Sequence, residues 1–314
     1  MPPERIFAAC APGLEPVLAR ELSALGLDAR AVPGGAEAEG ADAVAIACIG
    51  SRTADAVALR LFDGPERGLE AGLAAARRRT GSAPLAVRRQ GGRATVSLDA
   101  AGAPLYKRGW RARIGAAPLR ESLAAGMLLF AGYDGARPFL DPMCGSGTLA
   151  IEAAAIAARH APGAQRRFAF ESWPWHDAAA TAAVRSRLAA RERLPPEPID
   201  ASDRNAGAVR MAVKNATAAG VARFIRFTRE DASTLRPAPG SGLLAANPPF
   251  GLRLASEVAA SWEALGTLLD RLPGWTCLVL APDRGLERRL GHAPARELRV
   301  RHGGLACRLL LFEV

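Results

Sequence analysis

The sequence predicts an α/β protein: an open, mostly parallel sheet closed by a C-terminal antiparallel hairpin, preceded by a small α+β unit. Three observations carry this. From Arg137 onward, short apolar runs alternate with alanine-rich helical stretches, the pattern of strand–helix–strand crossovers. At Asp141-Pro142-Met143-Cys144-Gly145-Ser146-Gly147-Thr148 the apolar run Arg137–Leu140 turns through two glycines into the helical run Leu149–Ala158. Such a turn is a nucleotide cradle, because glycines admit close backbone approach and a helix start offers unpaired N–H groups. At the far end, Glu297–Arg301 and Cys307–Val314 flank Gly303-Gly304 as the strands of a hairpin.

The chain has 314 residues, 49% of them hydrophobic, which suits two domains with their own cores; the division is placed between 104 and 105. No run approaches the ~18 apolar residues of a membrane helix, and the first ten residues lack the basic start and apolar stretch of a secretory leader. The five cysteines and four histidines are scattered, without a C-x-x-C pair. No metal site is expected, and free thiols point to the cytoplasm. The formal charge is +10, and residues 111–314 hold 27 basic against 19 acidic residues. That excess points to an anionic partner, nucleic acid above all. Because 39 of the 41 basic residues are arginine, the charge is informative and the choice of arginine is not.

In order, Ile6–Cys10 reads as a strand and Pro12–Leu25 as an amphipathic helix closed by Gly26. A turn at Pro33-Gly34-Gly35 follows. Ala41–Phe62 reads as alanine-rich helix, broken at most at Gly50-Ser51. Gly68–Arg79 is a second helix, and Pro84–Arg89 with Arg93–Asp99 form two strands around Gly91-Gly92. This unit carries no catalytic constellation and serves structure or docking. Leu105–Arg113 interleaves four basic residues with Tyr106 and Trp110; it either stacks on bases and contacts phosphates or is a strand joining the domains. Pro118 then opens a helix whose buried stripe is Leu119, Leu123, Met127 and Phe130.

Beyond the glycine turn, Arg166–Trp175 is an aromatic and basic insertion that either packs or shapes the mouth of the site. Asp177–Arg193 is a polar helix. Ile199–Asp203 is the second strand of the parallel sheet, Asn205–Gly220 a helix and Phe224–Phe227 the third strand, followed by Asp231. An acid at a strand end beside a glycine turn can hold a ribose. Gly145, Gly147 and Ala150 satisfy the loose dinucleotide pattern, but Asp203 lies 56 residues after Gly147, well beyond the ~20 of nicotinamide enzymes. Leu243–Ala246 then leads into Asn247-Pro248-Pro249-Phe250-Gly251, and Trp262–Leu272 and Trp275–Leu280 complete the helix–strand series. Two prolines after a buried strand fix the backbone and remove two donors. The Asn247 oxygen and Pro248 carbonyl can then accept from a planar amino group, with Phe250 stacked on the ring that bears it.

With these motifs in hand, the chain resembles the class I S-adenosylmethionine-dependent RNA methyltransferases. Among them it is most similar to the bacterial large-subunit ribosomal RNA guanine-N2 methyltransferases with an N-terminal RNA-binding THUMP domain. The resemblance rests on Asp141–Thr148, Asp203, Glu230-Asp231 and Asn247–Phe250, with Lys107–Trp110, Pro118–Ala125 and Arg167–Trp173 in support. It implies a Rossmann-like methyltransferase sheet over 105–314 and a reduced THUMP-like unit over 1–104. It further implies S-adenosylmethionine held by Asp141, Pro142, Cys144, Gly145, Ser146, Gly147 and Thr148 at its methionine end. Asp203 would hold its ribose and Asp231 its adenine, with Asn247 beside the donor. Asn247, Pro248 and Phe250 would engage the target amine. The implied partner is RNA, ribosomal RNA first, with no membrane or metal, and a monomer is favoured. Transfer RNA, adenine-N6 of DNA, a protein glutamine amide and a non-catalytic RNA-binding role stay as alternatives, because Asn-Pro-Pro-aromatic serves several planar amines.

Overall fold

The computed structural model describes residues 3–111, 119–237, 240–250, 255–282 and 284–314. Ala112, Arg113, Pro118 and Gly251, which the sequence reading invoked, lie outside them. The chain forms two compact units: residues 1–108 with 161–191, and residues 109–160 with 192–314.

Unit 1 opens with β1 (Glu4–Ala9), α1 (Glu15–Ala24), β2 (Asp28–Val32), β3 (Gly35–Gly40), α2 (Ala43–Gly50), β4 (Ala56–Pro65), α3 (Leu69–Thr80), β5 (Leu85–Gln90) and β6 (Arg93–Asp99). Its strands make one antiparallel sheet in the order β2-β3-β1-β4-β6-β5. The helix expected over 41–62 is a helix only to Gly50. Beyond it Val57 and Leu59 are buried at period two, so the stretch runs as β4 between β1 and β6. The sequence reading also missed β2 and β3, whose alanines and acids carry little strand signal. At Gly35 an added Cβ would lie 1.9 Å from the Ala8 carbonyl oxygen, so glycine alone lets β3 pair so closely with β1.

The chain continues through α4 (Glu121–Phe130), β7 (Phe139–Asp141), α5 (Thr148–Ala157), α6 (Ala178–Ala189), β8 (Ile199–Ser202), α7 (Ala206–Ala218), β9 (Arg226–Thr228), β10 (Leu243–Ala246), α8 (Ala255–Leu269), β11 (Thr276–Ala281), α9 (Arg284–Glu287), β12 (Arg296–His302) and β13 (Leu305–Glu313). Unit 2 is built on the sheet β12-β13-β11-β10-β7-β8-β9. The five strands from β11 to β9 run parallel, and β13 and β12 are antiparallel. This is the predicted Rossmann-like sheet with its C-terminal hairpin. On one face Trp262, Leu265, Leu268 and Leu272 pack with the buried side chains of β10, β11 and β13; on the core side of the crossovers α4 packs against α5.

The insertion belongs to unit 1. The Gly163 N–H donates to the Ile49 carbonyl (2.9 Å) and the Phe170 N–H to that of Ala100 (3.1 Å). A Cβ at Gly163 would stand 2.7 Å from the Cys48 oxygen. Arg166 donates to the carbonyls of Ala103, Pro104 and Leu105, Phe168 and Phe170 are buried, and α6 packs on α2. A single cut at 104/105 therefore does not separate the compact units: 161–191 folds with the N-terminal sheet.

Candidate active site

In an open α/β sheet the ligand crevice lies outside the carboxyl ends of the strands, where the strand order reverses. Here the order reverses between β7 and β10. Asp141 ends β7, Asp203 follows β8, Asp231 follows β9 and Asn247 follows β10. A cavity of about 670 Å³ opens over these ends. Asp141, Pro142, Cys144, Gly145, Ser146, Thr148, Asp203, Asp231, Asn247, Pro248 and Phe250 all line it. Of the residues singled out from sequence, Gly147 alone does not.

Gly147 shapes the turn from behind. Its φ is +87° and a Cβ there would meet the Ala212 Cβ at 3.0 Å, so both conformation and the proximity of α7 require glycine. Its N–H donates to the Cys144 carbonyl (2.7 Å), and the Cys144 N–H donates to Ser202 (2.8 Å), tying the turn to β8. Gly145, which lines the cavity, has φ +52° with open space where a Cβ would stand. Asn215, wholly buried on α7, donates through Nδ2 to the Ser146 carbonyl (2.9 Å). It supports the turn from a helix whose sequence carried no motif.

The three carboxyl groups are held differently. Asp141 is 1% exposed; burial pushes its pKa up to about 8, Asp203 adds to the rise, and the Met143 and Ala150 N–H groups oppose it. It is therefore a buried acid, and no cation pairs with it among the described residues. Asp203 spends Oδ2 on the Gly145 N–H (3.0 Å) and Oδ1 on the Asn205 N–H (2.8 Å), each oxygen keeping a second lone pair. It thus links the glycine turn to the start of α7, whose N-cap is Asn205. Asp231 accepts through Oδ1 from the Ser233 hydroxyl (2.7 Å) and N–H (2.9 Å). The Ser233 hydroxyl bond is the largest influence holding its carboxyl below the usual range, and Arg271 secures the turn by donating to the Ser233 carbonyl. Together these strand ends present carboxylates to the hydroxyl and amino groups of a nucleoside-like ligand.

Opposite them stands the Asn247–Phe250 turn. The Asn247 Oδ1 is buried and no donor reaches it among the described residues. The Pro249 carbonyl accepts from the indole N–H of Trp262 (3.1 Å), itself fully buried, which anchors the turn to α8. Phe250 meets the His302 ring edge-on. The arrangement offers an unmet acceptor beside an aromatic face, the complement of an amine on a planar ring.

Sequence reasoning did not find Arg204, Met211 and Leu305, which also line the cavity, nor Ser233, Trp262 and His302 behind it. None sits in a motif; only the fold places them. It also misread part of the basic leader. Among the described residues 105–111 hold no strand, and Trp110 is 7% exposed. Arg108 donates to the Leu105 and Arg52 carbonyls. Arg111 bonds the Leu119 carbonyl and the Thr148 hydroxyl, and its Nε lies 3.2 Å from Glu121. These groups are committed to the fold, and of the leader's described aromatic and basic residues Lys107 is the exposed one.

Residues 108–310 match the family described as "RMKL-like, methyltransferase domain", and residues 5–58 match the "RlmL ferredoxin-like domain". The ribosomal RNA large subunit methyltransferase K/L of Pseudoalteromonas atlantica is 38% identical over 229 residues, covering 70% of this chain and 32% of that protein. A putative RNA methyltransferase of Synechocystis is 34% identical, covering 70% of this chain and 58% of its own length. The match thus spans about a third of the first relative and under two thirds of the second. Among solved structures, SMU.472, described as a putative methyltransferase complexed with SAH, superposes with a TM-score of 0.87 at 26% identity, over 100% of this chain and 98% of that one. Sheet order, glycine turn, strand-end acids and sequence agree: the chain belongs to the RMKL-like methyltransferase family.

Proposed function

We propose that this protein transfers a methyl group from S-adenosylmethionine to the exocyclic N2 amine of a guanine in RNA, with large-subunit ribosomal RNA as the first candidate. The observation that carries the reading is the buried Asn247 Oδ1, without a donor among the described residues, on a residue that lines a cavity with acids at three neighbouring strand ends. The residues fit the donor: Asp141 is a buried acid with no cation beside it among the described residues, Asp203 keeps lone pairs for ribose hydroxyls, and the ionised Asp231 suits an adenine amino group. When bound, S-adenosylmethionine supplies a methyl group already activated by its sulfonium charge.

The chain's own task is then alignment. An exocyclic amine is a poor nucleophile, because its lone pair is delocalised into the ring. Asn247 Oδ1 and the Pro248 carbonyl accept its two N–H bonds, favour a pyramidal nitrogen and stabilise the positive charge that develops on attack. Phe250 stacks on the base. No strong base is needed before attack, and the surplus proton passes to water afterwards. A guanine held in a helix must first be flipped out, at a cost of a few kcal/mol.

The net charge of +10 and the activity in the names of the relatives support RNA as the substrate. Unit 1, a ferredoxin-like and reduced THUMP-like domain, is the RNA-binding part of a cytoplasmic, monomeric enzyme. The test is to incubate the protein with labelled S-adenosylmethionine and unmodified RNA and to analyse nucleosides. N2-methylguanosine is expected; label confined to adenine or to DNA sinks the reading. Asn247→Ala should bind S-adenosylhomocysteine as the wild type does yet transfer roughly 10²–10³-fold more slowly.

A further inference from the structure

A second cavity, of about 180 Å³, lies wholly within unit 1. One wall is the insertion. The rings of Trp173 and Trp175 lie 5.2 Å apart at 34°, and Phe170 meets Trp173 and His176 edge-on at 6.2 and 5.5 Å. The opposite side comes from the ferredoxin-like sheet and α2, with Glu4, Asp42 and Arg60. The exposed Arg79, last of the run Arg77–Arg79 at the end of α3, places its guanidinium 4.9 Å from the centre of the Trp175 ring.

The polar groups of this cavity divide into spent and unspent. Glu4 accepts from the Val44 N–H (2.8 Å) and Asp177 from that of Ala180 (2.9 Å). Arg60 donates to the hydroxyls of Thr95 and Ser97. Trp175 Nε1 is buried and has no partner among the described residues, although a buried indole N–H ordinarily finds one. Burial pushes the Glu4 pKa up and nearby Asp42 adds to the rise, while the Val44 N–H and Arg79 oppose it. An aromatic wall, an unmet donor, carboxylates and an exposed guanidinium complement a flat heteroaromatic ring with donors and acceptors on its edge and a negative charge attached. The volume is below the ~300–1,000 Å³ of sites that enclose a whole small molecule. It holds one inserted ring of a longer ligand.

We propose that this cavity receives one unpaired nucleobase of an RNA strand, set against the Trp173–Trp175 wall, with Arg79 and its neighbouring arginines on the adjoining phosphates. The inference rests on RNA being the substrate. It gives the aromatic insertion a role: the excursion 161–191 out of the catalytic unit completes a base-binding site on the N-terminal sheet.

The test uses the full chain and fluorescein-labelled single-stranded RNA. Trp173→Ala should weaken RNA binding roughly tenfold or more, as loss of a base–aromatic stack does. Trp175→Phe, which keeps a ring and removes the N–H, should weaken it about fivefold. Arg79→Ala, at an exposed position, should weaken it and flatten its salt dependence. S-adenosylhomocysteine affinity, read by calorimetry, should not change, which also reports that the variants fold. RNA carrying 5-bromouridine should photocrosslink to the peptide containing Trp173 and Trp175. Unchanged RNA affinity in all three variants, or crosslinks confined to other peptides, overturns the proposal. So does saturable binding of free mononucleotides that the variants abolish while RNA affinity holds. A wild type that binds and crosslinks RNA here without methylating it sustains this site and removes the catalytic reading. A wild type that methylates RNA as well as variants that bind it normally removes only this site.

Discussion

The His302 imidazole stands at 83° to the Phe250 ring, with 6.1 Å between centroids. His302 is 5% exposed, and burial, with Arg120 in support, holds its pKa below the usual histidine range. It is therefore neutral at pH 7 and acts as an aromatic prop for the Phe250 ring. His302→Ala should raise the KM for RNA about fivefold and lower kcat by a similar factor, with S-adenosylhomocysteine affinity unchanged, and His302→Phe should restore both. The unfolded chain takes up a proton here before the folded one, so stability contributed at pH 7 is lost as pH falls below about 6.5. Melting curves at pH 5 to 7.5 should show that loss in the wild type and a smaller one in His302→Phe.

Asp141 predicts the opposite pH trend. With its pKa at about 8, the ligand-free folded protein keeps a proton that the unfolded chain loses near pH 4. Stability therefore falls as pH rises from about 4 to 8, by at most about 1.4 kcal/mol per unit. Asp141→Asn should melt higher than wild type at pH 8 and converge on it near pH 4. A cationic ligand draws the ionised carboxylate, so binding S-adenosylmethionine at pH 7 should release a proton. Calorimetry in buffers of different ionisation enthalpy reads that proton directly, and Asp141→Asn should abolish it.

Asp203 joins the glycine turn to the first residues before α7, with one oxygen on each. Its replacement should do more than remove a ribose contact. Asp203→Ala is expected to weaken S-adenosylhomocysteine binding roughly 10- to 100-fold, as loss of two charge-assisted bonds would. It should also speed amide hydrogen exchange at Gly145 and Asn205. Asp203→Asn keeps a single carbonyl oxygen and should fall between. Equal exchange in all three proteins would confine Asp203 to ligand contact.

Two glycines of one turn separate conformation from space. Gly147→Ala meets Ala212 and a left-handed φ, whereas Gly145→Ala meets only the φ. The left-handed conformation costs an alanine about 1–2 kcal/mol, and the clash adds to it at 147 alone. In urea titrations Gly147→Ala should be clearly the less stable. The Gly145 variant should fold better and bind donor worse, because its methyl group enters the cavity.

Much of the catalytic unit was legible because its chemistry is local. Asp141 closes the apolar pair Phe139-Leu140, Asp203 and Asp231 stand just past short strands, and Asn247-Pro248-Pro249-Phe250 follows an apolar strand and is rigid by composition. The N-terminal unit was harder. Alanine at Ala36 and Ala38 marks the buried face of β3 without announcing it, and alanine from 41 onward hides where helix gives way to β4. Arg108 reaches the Arg52 carbonyl and Arg111 the Thr148 hydroxyl, both distant in sequence, so nothing in Lys107–Trp110 distinguishes a structural arginine from one meant for phosphate. The insertion's partner surface at Ile49, Ala100 and Ala103–Leu105 is likewise a product of tertiary structure.

That insertion changes what can count as a part of this protein. The chain passes from one compact unit to the other at 108–109, returns at 160–161 and leaves again at 191–192. No single cut liberates either unit whole: a fragment ending near 104 lacks the strip that buries α2, and a fragment starting there carries Phe168 and Phe170 with nothing to cover them. Recombination between relatives at the apparent boundary would exchange half of an interior for a stranger's half. The two units must therefore change sequence together, although each keeps its own sheet.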